Sequence, residues 1–400
     1  MADQELLREP LKNFGIRNMS VHYLYSFPIA DHSSVLFDPK NVKMSAEKIL
    51  NKLKESEEYR YIDISNRISY LAISQIYIKK FIEYYCPKVF KYVGGGCNGA
   101  LGEGDLPHSP TDITSNQTSN YELYIYPKLG ICICEFTVNV NVEQSYSDII
   151  SNLRNEKKDL EKQVKEIIEN KLGLNKGNSS YDIIDLFRIT EIKGSKYINE
   201  FSDNEKRVLA GLTNLSDRFP WYTEETIKKI LSKNLSLTNY EFQCISQKNL
   251  LLYVNDTYIR GLPKSDHEYY LKYLYTMKLG VNILFAIISF LKVLNKYLEV
   301  YDFTTRKLKI NLLDYWIRES YELSRIYLFA YTKHYKEFIL TALEEVCIRD
   351  YLRDLKDLLT MFREQELSKR LYIINIIMIF LTVLVIILTI LSYFLPYQTC

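Results

Sequence analysis

The feature that most limits what this chain can fold into is the run from Leu371 to Leu395, LYIINIIMIFLTVLVIILTILSYFL, 25 residues without a charge. At ~1.5 Å of rise per residue, a helix of that length reaches about 37 Å and crosses a ~30 Å hydrocarbon core with some tilt. It opens after Ser368-Lys369-Arg370 and stops at Pro396. The competing reading is a buried core helix, but the length and the basic flank favour a single transmembrane helix. Lys356, Arg363, Lys369 and Arg370 crowd its N-terminal side, and no charge follows it. The positive-inside tendency then puts the large N-terminal region in the cytoplasm, with Tyr372, Tyr393 and Tyr397 at the two interfaces. The start, MADQELLREPLKNFG, has no apolar core and does not read as a secretory signal. The expected localisation is therefore the membrane, single-pass, with the lipid bilayer as the first partner.

Charge and cysteine usage exclude some classes of function. Lys and Arg number 51 against 49 Asp and Glu, a net charge of +2, so no large basic field exists and nucleic acid is not an expected partner. Cysteines at 86, 97, 132, 134, 244, 347 and 400 follow no pattern, which fits a reducing compartment.

Taken in order, residues 1–17 read as polar and frayed. SVHYLYSF alternates Val21, Tyr23, Tyr25 and Phe27, a strand. Ser45 is placed to cap a helix over 46–58, Tyr59–Ile64 returns as a strand, and Ile68–Tyr85 has helical apolar spacing. Residues 93–120 hold GGGCNGALGEGD and then PHSPTDITSNQTSN, a mobile Gly/Ser/Pro-rich loop. Its Gly94, Gly96 and Gly99 match a dinucleotide fingerprint in form, but Pro107 and Pro110 leave no helix to receive a phosphate. Tyr121–Tyr126 and Ile131–Val142 flank Pro-Lys-Leu-Gly and read as a hairpin. Residues 144–172 turn helical, with Leu153, Leu160 and Ile167 spaced by sevens: a helix on the sheet or a weak coiled coil. Tyr181–Ile192 reads as a strand that would complete a β–α–β unit with the hairpin before it, and 204–212 and 223–233 as helices. LLLYVNDTYIRGL, Leu250–Leu262, reads as a second hairpin through Asn255-Asp256.

From Val281 to Leu395 there is neither Gly nor Pro, which predicts helix almost throughout. Leu279–Leu291 is apolar but short, so a core helix is expected rather than a second span. Ile348, Leu352, Leu355, Leu359 and Phe362 form the seam of an amphipathic stalk that could join the anchor as one rod from about Tyr335. The expected fold class is thus an α+β cytosolic region of hairpins and helices, then an all-α helical stalk, then one C-terminal transmembrane helix. The expected organisation is an α+β region at 1–142, a second at 143–265 opening with a long helix, a helical bundle and stalk at 266–370, and the transmembrane helix at 371–395.

Chemistry is hard to find in these residues. The histidines 22, 32, 108, 267 and 334 stand apart, and no HExxH, GxSxG, P-loop or kinase pattern occurs. Asp31-His32-Ser33-Ser34 and Ser265-Asp266-His267-Glu268 set triad-type residues side by side, but triads are assembled from distant segments. Cys132 and Cys134 share one face of a strand without a second pair to complete a metal site, and Glu103 and Asp105 lack an EF-hand frame. No catalytic residue, metal or cofactor is assigned. Within the membrane run, Asn375, Thr382 and Thr389 recur every seven residues, with Ser392 three further on, as one polar stripe. Such a stripe suits contact between helices of neighbouring subunits or the lining of a wet path. Thr and Ser hydroxyls can also bond the carbonyl four residues back, which leaves Asn375 as the residue with no such route.

The order of parts, an α+β domain, a long helical stretch and then membrane, resembles the layout of CorA-like divalent-cation channels. Their two spans and Gly-Met-Asn signature are absent, so no residues are carried over. The expected function is a tail-anchored, homo-oligomeric, non-enzymatic membrane protein whose cytosolic module senses or recruits a protein or small-molecule ligand. The alternatives are an oligomeric ion channel or membrane-permeabilising protein of CorA-like layout, and a membrane-tethered enzyme with a dispersed site.

Overall fold

A computed structural model of the chain describes residues 2–30, 39–64, 86–93, 120–174, 181–300 except 237 and 247, and 333–394 except 346, with five isolated positions between 315 and 325. Its centre is β1 (Ile16–Pro28), whose 13 residues alternate between two cores. Val21, Tyr23, Tyr25 and Phe27 enter one core and Leu24 the other, so from Val21 to Pro28 the strand is buried on both faces. The eight described strands form one mixed sheet in the order β2-β3-β4-β5-β1-β6-β8-β7. The remaining strands are β2 (Tyr59–Ile62), β3 (Lys88–Tyr92), β4 (Tyr121–Tyr126), β5 (Ile131–Val140), β6 (Asp185–Gly194), β7 (Glu241–Ile245) and β8 (Asn249–Asn255). All neighbours are antiparallel except β6 and β8. The α+β region is thus held together by a single sheet, which draws strands from both 1–142 and 143–265.

Helices cover both faces. α1 (Ala2–Arg8), α2 (Pro39–Glu55), α3 (Tyr146–Glu166) and α4 (Asp203–Asn214) sit on the Tyr23 side. The Ser145 hydroxyl caps α3 by accepting from the Asp148 amide, and Tyr23 and Tyr25 donate to the carbonyls of Leu153 and Lys157 at 3.0 Å. α4 opens with a capping box in which Ser202 and Glu205 satisfy each other's amides. β5, α3 and β6 make the expected crossover; β1 lies between the two strands and is antiparallel to both. Leu153, Leu160 and Ile167 are all buried within this layer, so the seven-residue spacing serves the sheet. α5 (Glu224–Leu231) and α6 (Asp256–Arg260) are short. On the Leu24 side lie α7 (Lys264–Val300), α8 (Lys333–Glu345) and the first turns of α9 (Ile348–Phe394).

Several local expectations are corrected. Residues 2–17 form α1, a short 3-10 turn and the start of β1, because Leu6, Leu11, Phe14 and Ile16 supply enough apolar area to dock. The helix near Ser45 begins at Pro39, six residues earlier, so Ser45 is interior rather than a cap. Asn255-Asp256 is no hairpin turn: the Asn255 carboxamide accepts from the Tyr258 amide at 3.1 Å and starts α6. The hairpin there is β7–β8 instead. The rod from Tyr335 is broken at Cys347, which takes φ 58°, and α9 restarts as 47 residues through stalk and apolar run. The expected helix at 68–85 and the loop at 94–119 lie outside the described residues.

Gly211 shows how closely the layers approach, since a Cβ there would lie 2.7 Å from Cβ of the fully buried Phe219. Gly211→Ala is therefore expected to destabilise by about 1–3 kcal/mol, although Ala is ~1 kcal/mol the better helix former. Chemical denaturation followed by circular dichroism checks the sign; a stabilised variant would mean that α4 and the Phe219 turn do not touch.

Candidate functional site

The residues with chemical potential gather along α7. Lys278, Asn282, Phe285, Ser289 and Lys292 step by four and three, so they share the face that meets the sheet. Each has a partner. Lys278 pairs with Glu191 at 2.5 Å, Tyr126 donates to Asn282 Oδ1 at 2.6 Å, and the Phe285 ring lies 5.7 Å from that of Phe187. Ser289 Oγ lies 2.7 Å from Ser26 Oγ, and Lys292 pairs with Asp185. Leu279–Leu291 is buried on the sheet as a core helix, within a longer stretch, Lys264–Lys296, that is apolar enough for a span by length and composition.

At the Lys278 end the charges form a cluster. His22 stands on β1 between Glu135 of β5 and Glu191 of β6, both antiparallel neighbours of its strand. Its Nδ1 lies 2.8 Å from Glu135 Oε1 and 3.1 Å from Thr137 Oγ1. Its Nε2 faces Glu191 Oε1 at 3.4 Å, an ion-pair separation. Glu122, across the β4–β5 ladder from Glu135, accepts from the Tyr124 hydroxyl at 2.8 Å. Burial alone would lower the imidazolium pKa, but the two carboxylates overcome it and hold His22 at about 9. Burial likewise opposes ionisation of Glu135 and Glu191, and the cations beside them keep both below the usual carboxylate range. Burial, and then the charge of Glu135, raises Glu122. Lys278 stays ionised because Glu191 and Glu135 more than offset its burial.

An imidazole with so high a pKa is charged at neutral pH and offers no free base. The arrangement ties three strands and a helix together. Its members come from distant parts of the sequence, His22 and Glu135 being 113 positions apart. The one local signal is a charged residue at an inward position of an apolar strand, as with Glu135 in ICICEFTV and Glu191 in FRITEI.

At the other end of α7, about 14 residues or ~21 Å away on the helical rise, a cavity of about 150 Å³ opens beneath Asp185, Lys248 and Lys292. Cys347 and Tyr351, at the root of α9, form its far wall.

α9 leaves the protein from there. Ile348, Leu352 and Leu355 are buried in the core, whereas the apolar residues from Leu371 to Ile390 are all exposed, from 42% at Leu384 to 68% at Tyr372. This helix is long and apolar enough to cross a membrane, by length and composition. Asn375, Thr382 and Thr389 lie exposed along it. Thr382 and Thr389 donate to the carbonyls of Met378 and Val385, each at 2.8 Å, so their hydroxyls are satisfied within the helix. Ser392 falls in α9 but outside the described side chains.

The other sequence candidates do not come together. Cys132 and Cys134 are buried free thiols, and burial pushes both upward in pKa. Ser265 donates to its neighbour Asp266 at 3.2 Å, near the exposed start of α7. Asp31-His32-Ser33-Ser34, Gly94–Gly99, Glu103, Asp105 and His108 lie outside the described residues. No cluster of three His, Cys, Asp or Glu able to hold a metal ion occurs among the described residues. The chain matches no protein family, no curated protein and no solved structure.

The His22 clamp sets a sign for pH dependence. Its folded pKa, about 9, is above the unfolded ~6.5, so its stabilisation is full below pH ~6.5 and fades as pH rises through 9. On that linkage the effect is worth roughly 3 kcal/mol. The melting temperature should fall between pH 6.5 and 9 more steeply than in His22→Gln; equal slopes would show that His22 is not ionised in the fold.

Proposed function

We propose that this chain is a membrane-tethered protein, anchored by the apolar end of α9, whose α+β domain is a sensing or recruiting module and not an enzyme. The observation that carries the reading is the uninterrupted exposure of Leu371–Ile390. An exposed apolar surface of that extent is unfavourable in water and favourable in hydrocarbon. α7 passes the same test of length and composition, but the sheet already covers it. Lys369 and Arg370 precede the exposed run, which favours the cytoplasmic side for the domain.

The root of α9 is packed in the core through Ile348, Leu352 and Leu355, and the same helix continues into the apolar run. A change at the root can therefore be passed along a helix of about 70 Å on the ~1.5 Å rise. The charged state of His22, held between Glu135 and Glu191, leaves it no free base and supports binding over catalysis. For assembly, the internal bonds of Thr382 and Thr389 shift the weight to Asn375, whose amide needs a partner in hydrocarbon. That partner is proposed to be Asn375 of a second copy.

Carbonate extraction of membranes tests the tether. The full chain should stay in the pellet and a chain cut before Leu371 should be released with unchanged circular dichroism; retention of the cut chain refutes the reading. Asn375→Leu should leave anchoring intact and lower the mass of the detergent-solubilised particle toward one copy. An unchanged mass would remove Asn375 from the contact, and ion flux through liposomes that this variant abolishes would turn the reading to a pore.

A further inference from the structure

We propose that the cavity at the root of α9 is a binding site for a small monoanion with an apolar body, an aromatic or branched-chain carboxylate. It gives a ligand class to the sensing reading and rests on that reading only for its consequence, since binding does not need α9 to lie in lipid.

The walls decide the body of the ligand. Phe187 of β6, Ile245 of β7 and Phe285 and Ile288 of α7 enclose the cavity of about 150 Å³. A close-packed interior keeps few voids larger than a water, and an apolar void of this size is dry and admits a benzene-sized guest. These apolar walls offer water no partner, so a hydrocarbon body is the better occupant against them, and the polar lining is left to Asp185, Lys248 and Lys292.

The rim decides the charge. Lys248 Nζ stands 3.6 Å from Asp185 Oδ1 while Lys292 pairs with Oδ2 of the same carboxylate. Lys292 also lies 5.8 Å from the centre of the Tyr351 ring. Two ammonium groups share one carboxylate, which among the described lining residues leaves one positive charge at the opening. Lys248 is the more loosely held of the two, with 65% of its side chain exposed and its donors turning to suit. A carboxylate set beside it completes the pairing, a cation is repelled, and a nucleotide or polyphosphate exceeds the volume.

The location decides the consequence. Cys347, in the left-handed conformation that separates α8 from α9, and Tyr351, one turn into α9, both line the cavity. An occupant touches the sheet and the root of the emerging helix together, so it biases how α9 leaves the domain.

The test uses the full chain with lipid nanodiscs, benzoate as the probe and benzamide as its neutral counterpart. Cys347 is the reporter, because it is only partly buried whereas Cys86, Cys132, Cys134 and Cys244 are buried. Benzoate should slow alkylation of Cys347 by iodoacetamide, read by peptide mass spectrometry, by about tenfold at ten times its dissociation constant, and should raise the melting temperature. Benzamide should protect weakly. Lys248→Gln should cut benzoate affinity about fivefold and leave benzamide unchanged, as expected for one exposed charge. Absence of saturable protection by benzoate overturns the site. Equal protection by both probes, unaffected by Lys248→Gln, overturns the charge assignment and leaves a bare void. Entry of the chain into nanodiscs reports separately on the tether, so either result can fail alone.

Discussion

The contact between α7 and the sheet is the constraint on which the rest of the structure depends. By length and apolar content α7 could cross a bilayer, yet its inward face carries Lys278, Asn282, Ser289 and Lys292. In hydrocarbon these groups would each cost free energy unless paired. In the protein each meets a partner that the sheet supplies: Glu191, Tyr126, Ser26 and Asp185. Apolar burial drives α7 onto the sheet, and the polar pairs fix where along the sheet it stops.

That docking is why β1 can be a strand buried on both faces. With α7 over Leu24 and α3 over Tyr23 and Tyr25, the central strand has no face left for water. A histidine on such a strand must be paired, and His22 finds Glu135 and Glu191 on the strands to either side. Removing one member of a buried ionic cluster leaves the others uncompensated, which commonly costs ~3–5 kcal/mol. The cluster therefore specifies the strand order as well as the helix register.

The same helix links the domain to α9. Its first half holds the charge clamp, and its second half holds Asp185 through Lys292 and roofs the cavity in which Cys347 and Tyr351 end the packed region. From Leu371 to Ile390 nothing in the described chain covers the apolar side of α9. The molecule thus divides along one helix, packed at the root and bare at the far end, and this division underlies the proposed tether.

Much of the local structure was legible in the sequence, since it depends on neighbours only. The strand at Val21–Phe27, the Tyr121–Val140 hairpin across Pro-Lys-Leu-Gly, the helix after Ser145 and the uncharged run after Arg370 all follow from periodicity and turn chemistry. Residues 1–17 looked frayed because their few apolar positions gain value only once α3 and the sheet are in place. Asn255-Asp256 looked like a turn because Asn serves turns and caps equally, and the parallel pairing of β8 with β6 selects the cap. His22, read as a lone histidine, has its partners on strands far away in sequence, and the left-handed Cys347 carries no Gly or Pro to announce the break. The sequence by itself determined many of the helices and strands and that the run after Arg370 is fit, by length and composition, for a bilayer. Only the tertiary structure decided which charges meet, where the long helical stretch breaks and which of two apolar helices is covered, because these follow from contacts between residues that only the strand order brings together.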